Sequence, residues 1–219
     1  MAAEAATAEE NEQERLLEAV LRHVPFDGWN RSALARAASD LGCDPGLAAL
    51  VFPGGGIDAL IAFLDRSDRR MMAALAAHDL ERLRIRERII TAIWLRLEEL
   101  APHRVAGRRA VALLALPQNA GLSARRLWRT ADLMWQAAGD RATDHNYYTK
   151  RLILAGVYSS TLLVWIGDET PGQVATRAFL ERRIDNVMQF EKAKAAWRRS
   201  TGNLPSLGRF LGRLRYPVR

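Results

Sequence analysis

The segment Ala138–Ile166, AGDRATDHNYYTKRLILAGVYSSTLLVWI, joins a polar, aromatic stretch to the densest apolar run of the chain. Thr143 or Asp144 can cap a helix start here, because a short side-chain oxygen accepts a hydrogen bond from the free N–H groups of a first turn. The helix carries no charge from Leu152 to Gly167 and is expected to pass into the interior. The segment therefore predicts the place where the protein meets its partner and its ligand.

The overall composition is that of a soluble protein with an ample core, since 49% of the 219 residues are hydrophobic and 26% are charged. Its single cysteine, Cys43, cannot form an internal disulfide, which fits a reducing compartment. The apolar run 152–166 is shorter than the roughly 18–20 residues that span a bilayer. The acidic N-terminus is unlike a secretory or transit peptide. These features predict an intracellular protein without a spanning helix.

The N-terminal quarter of the sequence predicts a helix-turn-helix-like module over residues 12–56, preceded by a disordered acidic segment, residues 1–11. The first helix is expected over Glu12–His23, where leucine and valine recur on one face. A turn is expected over Val24–Trp29. Short helices in this order, followed by a longer one, are typical of helix-turn-helix proteins and resemble the N-terminal module of TetR-type regulators.

Capping residues delimit the next two helices of this module. Asn30 is expected to cap the second helix, Gly42 to end it, and Asp44 to cap a third helix with Pro45 at its first position. The third helix would face DNA in a regulator, yet the segment 44–52, DPGLAALVF, has no Arg, Lys, Asn, Gln, Ser or Thr. Such side chains are needed to contact bases and phosphates, so nucleic acid is not expected as a partner.

The body of the protein, residues 57–199, predicts long amphipathic helices and no strand. Their expected bounds are Ile57–Leu80, Arg82–Leu100, Arg104–Leu116, Leu122–Ala138, 144–166 and Val174–Trp197. The fold class predicted from the sequence is therefore all-α.

The C-terminal segment 200–219 predicts a linker and a basic amphipathic helix. Eight basic residues and no acid lie within Lys192–Arg219, and the rest of the chain has a net charge of −1. The pattern of an apolar stripe beside arginines favours a helix lying on an anionic membrane surface. A solvated tail, or a helix docked on its own domain, remains the alternative. The predicted membrane-binding residues are Leu207, Arg209, Phe210, Leu211, Arg213, Leu214 and Arg215.

The sequence contains no recognisable catalytic, cofactor or metal motif. The four histidines lack the spacing of zinc or di-iron ligands. The segment Gly54–Ala59 fits G-x-G-x-x-A, but no strand precedes it, as dinucleotide binding requires. Asp140, Asp144 and His145 allow an acid–base interpretation, but capping and surface roles explain them better. We therefore expect a protein that is not an enzyme.

The stretch Met134–Arg151, MWQAAGDRATDHNYYTKR, resembles the signature of the ubiquinone-biosynthesis accessory protein family, the ninth in the coenzyme Q series. Similar matches occur at Leu116–Asn119, Val24–Trp29, Ser39–Gly42 and Phe179–Ile184. The resemblance implies a TetR-like fold that does not regulate transcription. It also implies lipid binding without catalysis.

The resemblance further implies the partners of the protein. Family members form homodimers through helices that correspond to 144–166 and 174–197, bind isoprenoid quinone intermediates and phospholipid, and present lipid to the hydroxylase of the quinone ring. The family's partner-binding patch maps onto Met134, Asp144, Asn146, Tyr147, Tyr148 and Arg151. Helix capping and packing are the alternative roles for Tyr147, Tyr148 and Arg151. The acidic N-terminus favours a bacterial cytoplasmic protein, peripheral to the inner membrane, over a mitochondrial one.

A lipid-binding role requires an apolar cavity among the helices, since covering the tail is favourable by about 25 cal/mol per Å². The residues predicted to line it are Trp94, Leu97, Leu113, Leu133, Ile153, Val157 and Leu162. The alternatives to this function are a ligand-responsive DNA-binding regulator of the TetR type and an uncharacterised enzyme.

Overall fold

The protein is α-helical throughout the part of the chain that its computed structural model describes, residues 2–140 and 145–201. The helices there are α1 (Ala2–Asp27), α2 (Arg31–Asp40), α3 (Pro45–Val51), α4 (Gly56–Ala76), α5 (Ile85–Leu100), α6 (Arg104–Leu114), α7 (Ala120–Ala137), α8 (His145–Gly167) and α9 (Val174–Thr201). Short 3₁₀ turns lie at Leu80–Arg82, Ala101–His103, Pro117–Asn119 and Pro171–Gln173. These residues contain no strand, and the all-α prediction is confirmed.

The predicted caps around α2 and α3 are present. The Asn30 side chain accepts a hydrogen bond from the Ala33 N–H at 3.0 Å, and Asp44 accepts one from the Gly46 N–H at 2.6 Å. Gly42 follows α2 with a φ of +66°, a conformation that glycine adopts without steric cost. Local sequence thus fixes the bounds of these two helices.

Two predictions for the first helix are wrong. Helix α1 begins at Ala2 instead of Glu12, because a segment rich in alanine and glutamate favours a helix over disorder. It also continues through Pro25 to Asp27, where a turn was expected. The Arg109 guanidinium of α6 donates to the Pro25 carbonyl oxygen at 2.8 Å and to that of Phe26 at 3.3 Å. This tertiary contact satisfies carbonyl groups that the helix end leaves free.

Smaller shifts occur at other helix ends. Helix α4 ends at Ala76 instead of Leu80, and α5 begins at Ile85 instead of Arg82. The Glu87 side chain accepts a hydrogen bond from the Arg84 N–H at 2.9 Å, which sets the start of α5. Helix α9 extends to Thr201 and so includes the first residues of the predicted linker.

The helices share one hydrophobic core. Helix α1 packs on α2, α4 packs against α5 and α7, and α8 lies between α7 and α9. Trp165 of α8 is fully buried, and its indole N–H donates to the Gln173 side chain at 2.8 Å. The apolar run of the opening segment therefore lies in the interior, as its composition predicts.

The turn between α8 and α9 is organised by Asp168. One carboxylate oxygen accepts from the Thr170 N–H at 2.9 Å, and the other accepts from the Thr176 N–H at 2.8 Å. The hydroxyl groups of both threonines also donate to Asp168, and these hydrogen bonds hold the pKa of that carboxyl well below its usual range. Arg104 donates to the carbonyl oxygens of Trp165 and Asp168. These hydrogen bonds hold the end of α8 and the start of α9 in fixed positions relative to each other.

Candidate functional site

Helices α4 to α8 surround a largely apolar cavity of about 270 Å³. Small residues of α6, Gly107 and Ala110, leave space where larger side chains would fill it. Ala115 and Leu163 are exposed, with 61% of the Leu163 surface accessible, and so mark the mouth of the cavity. The full wall consists of Phe63, Leu64, Arg96, Leu100, Gly107, Ala110, Val111, Leu114, Ala115, Ser123, Arg126, Leu127, Thr130, Tyr158, Ser159, Leu162 and Leu163.

A polar wall, formed by Asp68, Arg96, Thr130 and Tyr158, adjoins this cavity. Arg96 donates from Nε to Asp68 Oδ1 at 3.0 Å, and the Thr130 hydroxyl donates to the same oxygen at 3.0 Å. Burial raises the pKa of Asp68, while the Arg96 charge and the hydrogen bonds act in the opposite direction. Burial also raises the pKa of Tyr158, so its phenol stays protonated at neutral pH.

One donor of the polar wall is left unused. Arg96 is only 1% exposed, and its Nη1 is buried without a hydrogen-bond partner among the residues that the structure describes. Buried N–H groups almost always have an acceptor, because an unpaired one loses its hydration without compensation. The wall of the cavity thus includes an arginine whose Nη1 is buried without an acceptor among the described residues.

Only Leu162 of the seven predicted lipid-binding residues lines this cavity. Leu97 and Val157 are buried in the general core, and Leu133 and Ile153 pack partly buried against it. The other two, Trp94 and Leu113, also lie outside its wall. Trp94 lies under the Arg177 guanidinium at 5.2 Å, and Leu113 lines a shallow pocket beside Trp29 and Arg109.

The six other residues lie outside this wall, and their contact with lipid stays a prediction. Large apolar side chains fill space, whereas a cavity forms where small ones leave space. Gly107, Ala110, Val111 and Leu114 follow the spacing i, i+3, i+4 and i+7 on α6, so they occupy one face of the helix. That run of small and medium residues is the signal in the sequence that identifies this wall.

A second feature is an aromatic surface formed by Trp128 of α7 with Tyr147 and Tyr148 of α8. The two tyrosine rings meet edge to face with centroids 5.1 Å apart, and Trp128 lies 6.4 Å from Tyr147 and 6.0 Å from Tyr148. Tyr148 is 65% exposed. Exposed aromatic side chains held in fixed positions are typical of protein-binding surfaces.

Arg151 lies buried beneath this aromatic surface and contacts the Tyr147 ring. It is only 2% exposed, and its guanidinium lies 3.4 Å from the Tyr147 ring centroid. Its Nε donates to Asp132, and its Nη1 donates to Asp140 at 3.2 Å and to the Tyr147 carbonyl at 3.1 Å. Lys150 adds an ion pair to Asp140 at 2.7 Å. These contacts fix the tyrosine at the start of α8.

The predicted partner patch is therefore corrected in two places. Met134 and Arg151 are buried, so neither side chain presents a contact surface. Arg151 instead positions the Tyr147 ring. Asp144 and the side chain of Asn146 lie outside the described residues. Sequence reasoning missed Trp128, which precedes Asp132 by one helical turn and so shares its face of α7.

The predicted C-terminal membrane helix also falls outside the residues that the structure describes. Within residues 2–140 and 145–201, no helix is long and apolar enough to cross a membrane. The same residues contain no cluster of His, Cys, Asp and Glu suited to holding a metal ion. The membrane-binding residues remain predictions from the sequence.

The order and packing of the helices define the class of protein. The fold is that of the TetR regulators: a solved structure of a TetR transcriptional regulator from Nitrosomonas europaea superposes with a TM-score of 0.66. The match covers 79% of this chain and 95% of that chain at 22% sequence identity, which shows a shared fold. The predicted TetR-like architecture is confirmed.

The sequence comparisons indicate which family the chain resembles. Residues 120–191 match the COQ9 family model, and the resemblance to this family is confirmed. The chain is 35% identical over 188 residues to the rat ubiquinone biosynthesis protein COQ9, mitochondrial, and 34% identical to the human one. These alignments cover 83% of this chain but only 60% and 59% of the relatives. The chain therefore spans about three fifths of the length of the relatives it matches.

Proposed function

We propose that this protein is a non-catalytic accessory protein of ubiquinone biosynthesis. In this proposal it binds isoprenoid lipid in the cavity and presents quinone intermediates to a hydroxylase that docks on the aromatic surface. The similarity to COQ9 proteins supports the role in ubiquinone biosynthesis. The relatives are named mitochondrial, and a location at a bacterial inner membrane stays a prediction for this protein.

One observation carries the proposal. The stretch that matches the COQ9 family model, residues 120–191, supplies both the cavity wall on α7 and α8 and the aromatic surface. A lipid site and a docking site on the same two helices are what a presenting protein needs. The apolar wall suits an isoprenoid chain, because covering apolar area is favourable by about 25 cal/mol per Å².

Exposed residues of α8 and α9 support homodimerisation. Leu152 and Gly156 are exposed four residues apart on α8, so they lie on one face, and Met188 is exposed on α9. A face that combines leucine with glycine allows two helices to approach closely. In the proposed dimer these helices pack against their symmetry mates.

The TetR fold makes a DNA-binding regulator the second candidate. The exposed residues of α3 include Gly46, Ala49 and Leu50, which offer no side-chain hydrogen bond to a base or phosphate. Sequence-specific operator binding by the purified protein would favour this candidate over the lipid-presenting one.

Mass spectrometry of lipids extracted from the purified protein tests the proposal. We expect isoprenoid lipid in the wild-type extract and much less with Ala110→Phe, which fills the cavity. The matched control is Ala124→Phe, because Ala124 is exposed on α7. Repeated extracts without isoprenoid or phospholipid, together with unchanged ubiquinone in a deletion strain, would contradict the proposal.

A further inference from the structure

The outer side of α6, away from the cavity, exposes apolar side chains beside arginines. Val105, Arg109, Ala112 and Leu116 follow one another at intervals of four, three and four residues, so they lie on one face of the helix. All four are exposed, Val105 by 50% and Leu116 by 40%. A shallow pocket of about 350 Å³ separates this face from Trp29.

The C-terminal end of α1 extends the exposed apolar surface. Because Arg109 donates to the carbonyl oxygens of Pro25 at 2.8 Å and Phe26 at 3.3 Å, Phe26 lies beside α6. Phe26 is 80% exposed, more than any other large apolar side chain that the structure describes. Contiguous exposed apolar residues of this kind mark interaction surfaces. The name α6 face is used below for Phe26, Val105, Arg108, Arg109, Ala112 and Leu116.

The charge of the α6 face is entirely positive. No Asp or Glu occurs from residue 100 to residue 131, a stretch that contains six arginines. The exposed Arg108 and Arg109 donate to backbone carbonyl oxygens, so no carboxylate among the described residues neutralises them. Asp27, the last residue of α1, already pairs with Arg36 at 3.5 Å. The face therefore attracts an anionic surface.

We infer that the α6 face binds the surface of an anionic phospholipid bilayer. Its apolar side chains then enter the headgroup region, and its two arginines contact lipid phosphates. Exposed apolar side chains combined with unneutralised basic ones are what an interfacial membrane site requires. The inference goes beyond the proposed function, since it concerns the outside of α6 and not the cavity. It is also independent of the predicted C-terminal membrane helix.

The α6 face lies next to the mouth of the cavity. Gly107 and Ala110 line the cavity from the other side of α6, and Ala115, exposed at the mouth, directly precedes Leu116. A bilayer bound to the α6 face therefore lies beside the mouth. A lipid passes from such a bilayer into the cavity with little of its apolar surface exposed to water, which lowers the cost of the transfer.

Vesicle co-sedimentation with full-length variants tests the inference. The background variant is Phe210→Glu/Leu214→Glu, which interrupts the apolar stripe of the predicted C-terminal helix. We expect this background to bind vesicles that contain both phosphatidylcholine and phosphatidylglycerol, and to bind pure phosphatidylcholine at least about fivefold more weakly. Adding Phe26→Glu/Val105→Glu should weaken binding to the mixed vesicles at least about tenfold, because two apolar side chains no longer enter the bilayer.

The matched control is Leu50→Glu/Ile85→Glu in the same background. Leu50 of α3 and Ile85 of α5 are 78% and 48% exposed, close to the 80% and 50% of Phe26 and Val105. The added charge is therefore the same and only its position differs. This control should bind the mixed vesicles as the background does.

The charge of the α6 face is tested separately at Arg108. In the same background, Arg108→Gln should weaken binding to the mixed vesicles by about fivefold, the effect of one basic residue at an anionic surface. Arg108→Lys keeps the charge and should keep the binding. This pair decides the matter if circular dichroism shows that Phe26→Glu/Val105→Glu has lost its helix content, and equal binding by Arg108→Gln and Arg108→Lys would then overturn the inference.

Three results would overturn the inference: a background without vesicle binding, unchanged binding after Phe26→Glu/Val105→Glu, and an equal loss in Leu50→Glu/Ile85→Glu. Sedimentation velocity identifies a different occupant, since a changed oligomeric state with vesicle binding retained would assign the α6 face to a contact between copies of the chain. None of these results alters the lipid extracted from the wild-type protein, so the proposed function stands or falls separately.

Discussion

The protein contains two buried arginines in similar settings, Arg96 beside the cavity and Arg151 beneath the aromatic surface. Each is almost inaccessible to solvent, and each donates from Nε to an aspartate. They differ in their remaining contacts. Arg151 Nη1 has acceptors on Asp140 and on the Tyr147 backbone, and its guanidinium lies against the Tyr147 ring, whereas Arg96 Nη1 is unpaired.

This difference separates two kinds of buried arginine. Around Arg151 the protein supplies acceptors to the donating atoms, so the arginine holds an aromatic side chain in place. Around Arg96 one donor, Nη1, has no acceptor among the described residues. Buried ion pairs contribute little net stability on average, so such pairs are better explained by what they position.

The largest expected effect is that of Asp68→Ala on stability. Removing Asp68 leaves the Arg96 charge buried without its carboxylate, and we expect the free energy of unfolding at pH 7 to fall by about 3–5 kcal/mol. Asp132→Ala is the matched variant at the other arginine. Arg151 keeps Asp140 there, so a loss of only about 1–2 kcal/mol is expected. Urea denaturation measures both, and equal losses would remove the distinction between the two sites.

The second-largest expected effect is a loss of hydroxylase binding at the aromatic surface. Tyr148→Ala should weaken binding of the quinone-ring hydroxylase by about 2 kcal/mol, roughly thirtyfold, because exposed tyrosines contribute strongly to interfaces. Its helix content and unfolding midpoint should not change. Phe26→Ala removes an exposed aromatic side chain of α1 and serves as the control. Surface plasmon resonance with the hydroxylase of the same organism gives the affinities, and unchanged binding by Tyr148→Ala would refute the docking surface.

A smaller expected effect is the pH dependence of stability, which differs between the buried aspartates Asp168 and Asp68. The Asp168 pKa lies below that of the unfolded chain, so its stabilising contribution is complete above a pH of about 4 and is lost as the pH falls further. Burial raises the pKa of Asp68, so the contribution of this carboxyl group to the free energy of unfolding declines as the pH rises. This pH dependence is opposite to that of Asp168.

Urea denaturation over a pH series checks the opposite signs. Asp168→Asn should be less stable than the wild type above a pH of about 4, and this difference in the free energy of unfolding should shrink as the pH falls further. Asp68→Asn should gain stability relative to the wild type as the pH rises. The same pH dependence in both variants would show that the two carboxyl groups do not differ in this way.

Much of the fold was predictable because its signals are local. The caps at Asn30 and Asp44 and the glycine at position 42 act through atoms a few residues away, and their predicted roles are confirmed. The end of α1 was not predictable in this way. Pro25 indicates a turn locally, but Arg109 of α6 supports the helix from a distant part of the sequence.

The candidate site was less predictable, since it depends on which faces of different helices meet. The aromatic surface was found in part, because Tyr147 and Tyr148 are adjacent in the sequence. The burial of Arg151 was not predictable, because it depends on its ion pairs with Asp132 and Asp140, which lie on other parts of the chain. The polar wall was missed entirely, since Asp68, Arg96 and Thr130 come from three helices and a buried charge leaves no periodic signal.

Photo-crosslinking with a diazirine-bearing farnesyl probe tests the central claim, lipid binding inside this cavity, most directly. After irradiation, peptide mass mapping locates the label. We expect labels on the cavity walls, at Val111, Leu127 and Leu162, and their loss in Ala110→Phe but not in Ala124→Phe. Labels confined to the exposed face of α8 around Leu152, or unchanged by Ala110→Phe, would contradict the claim.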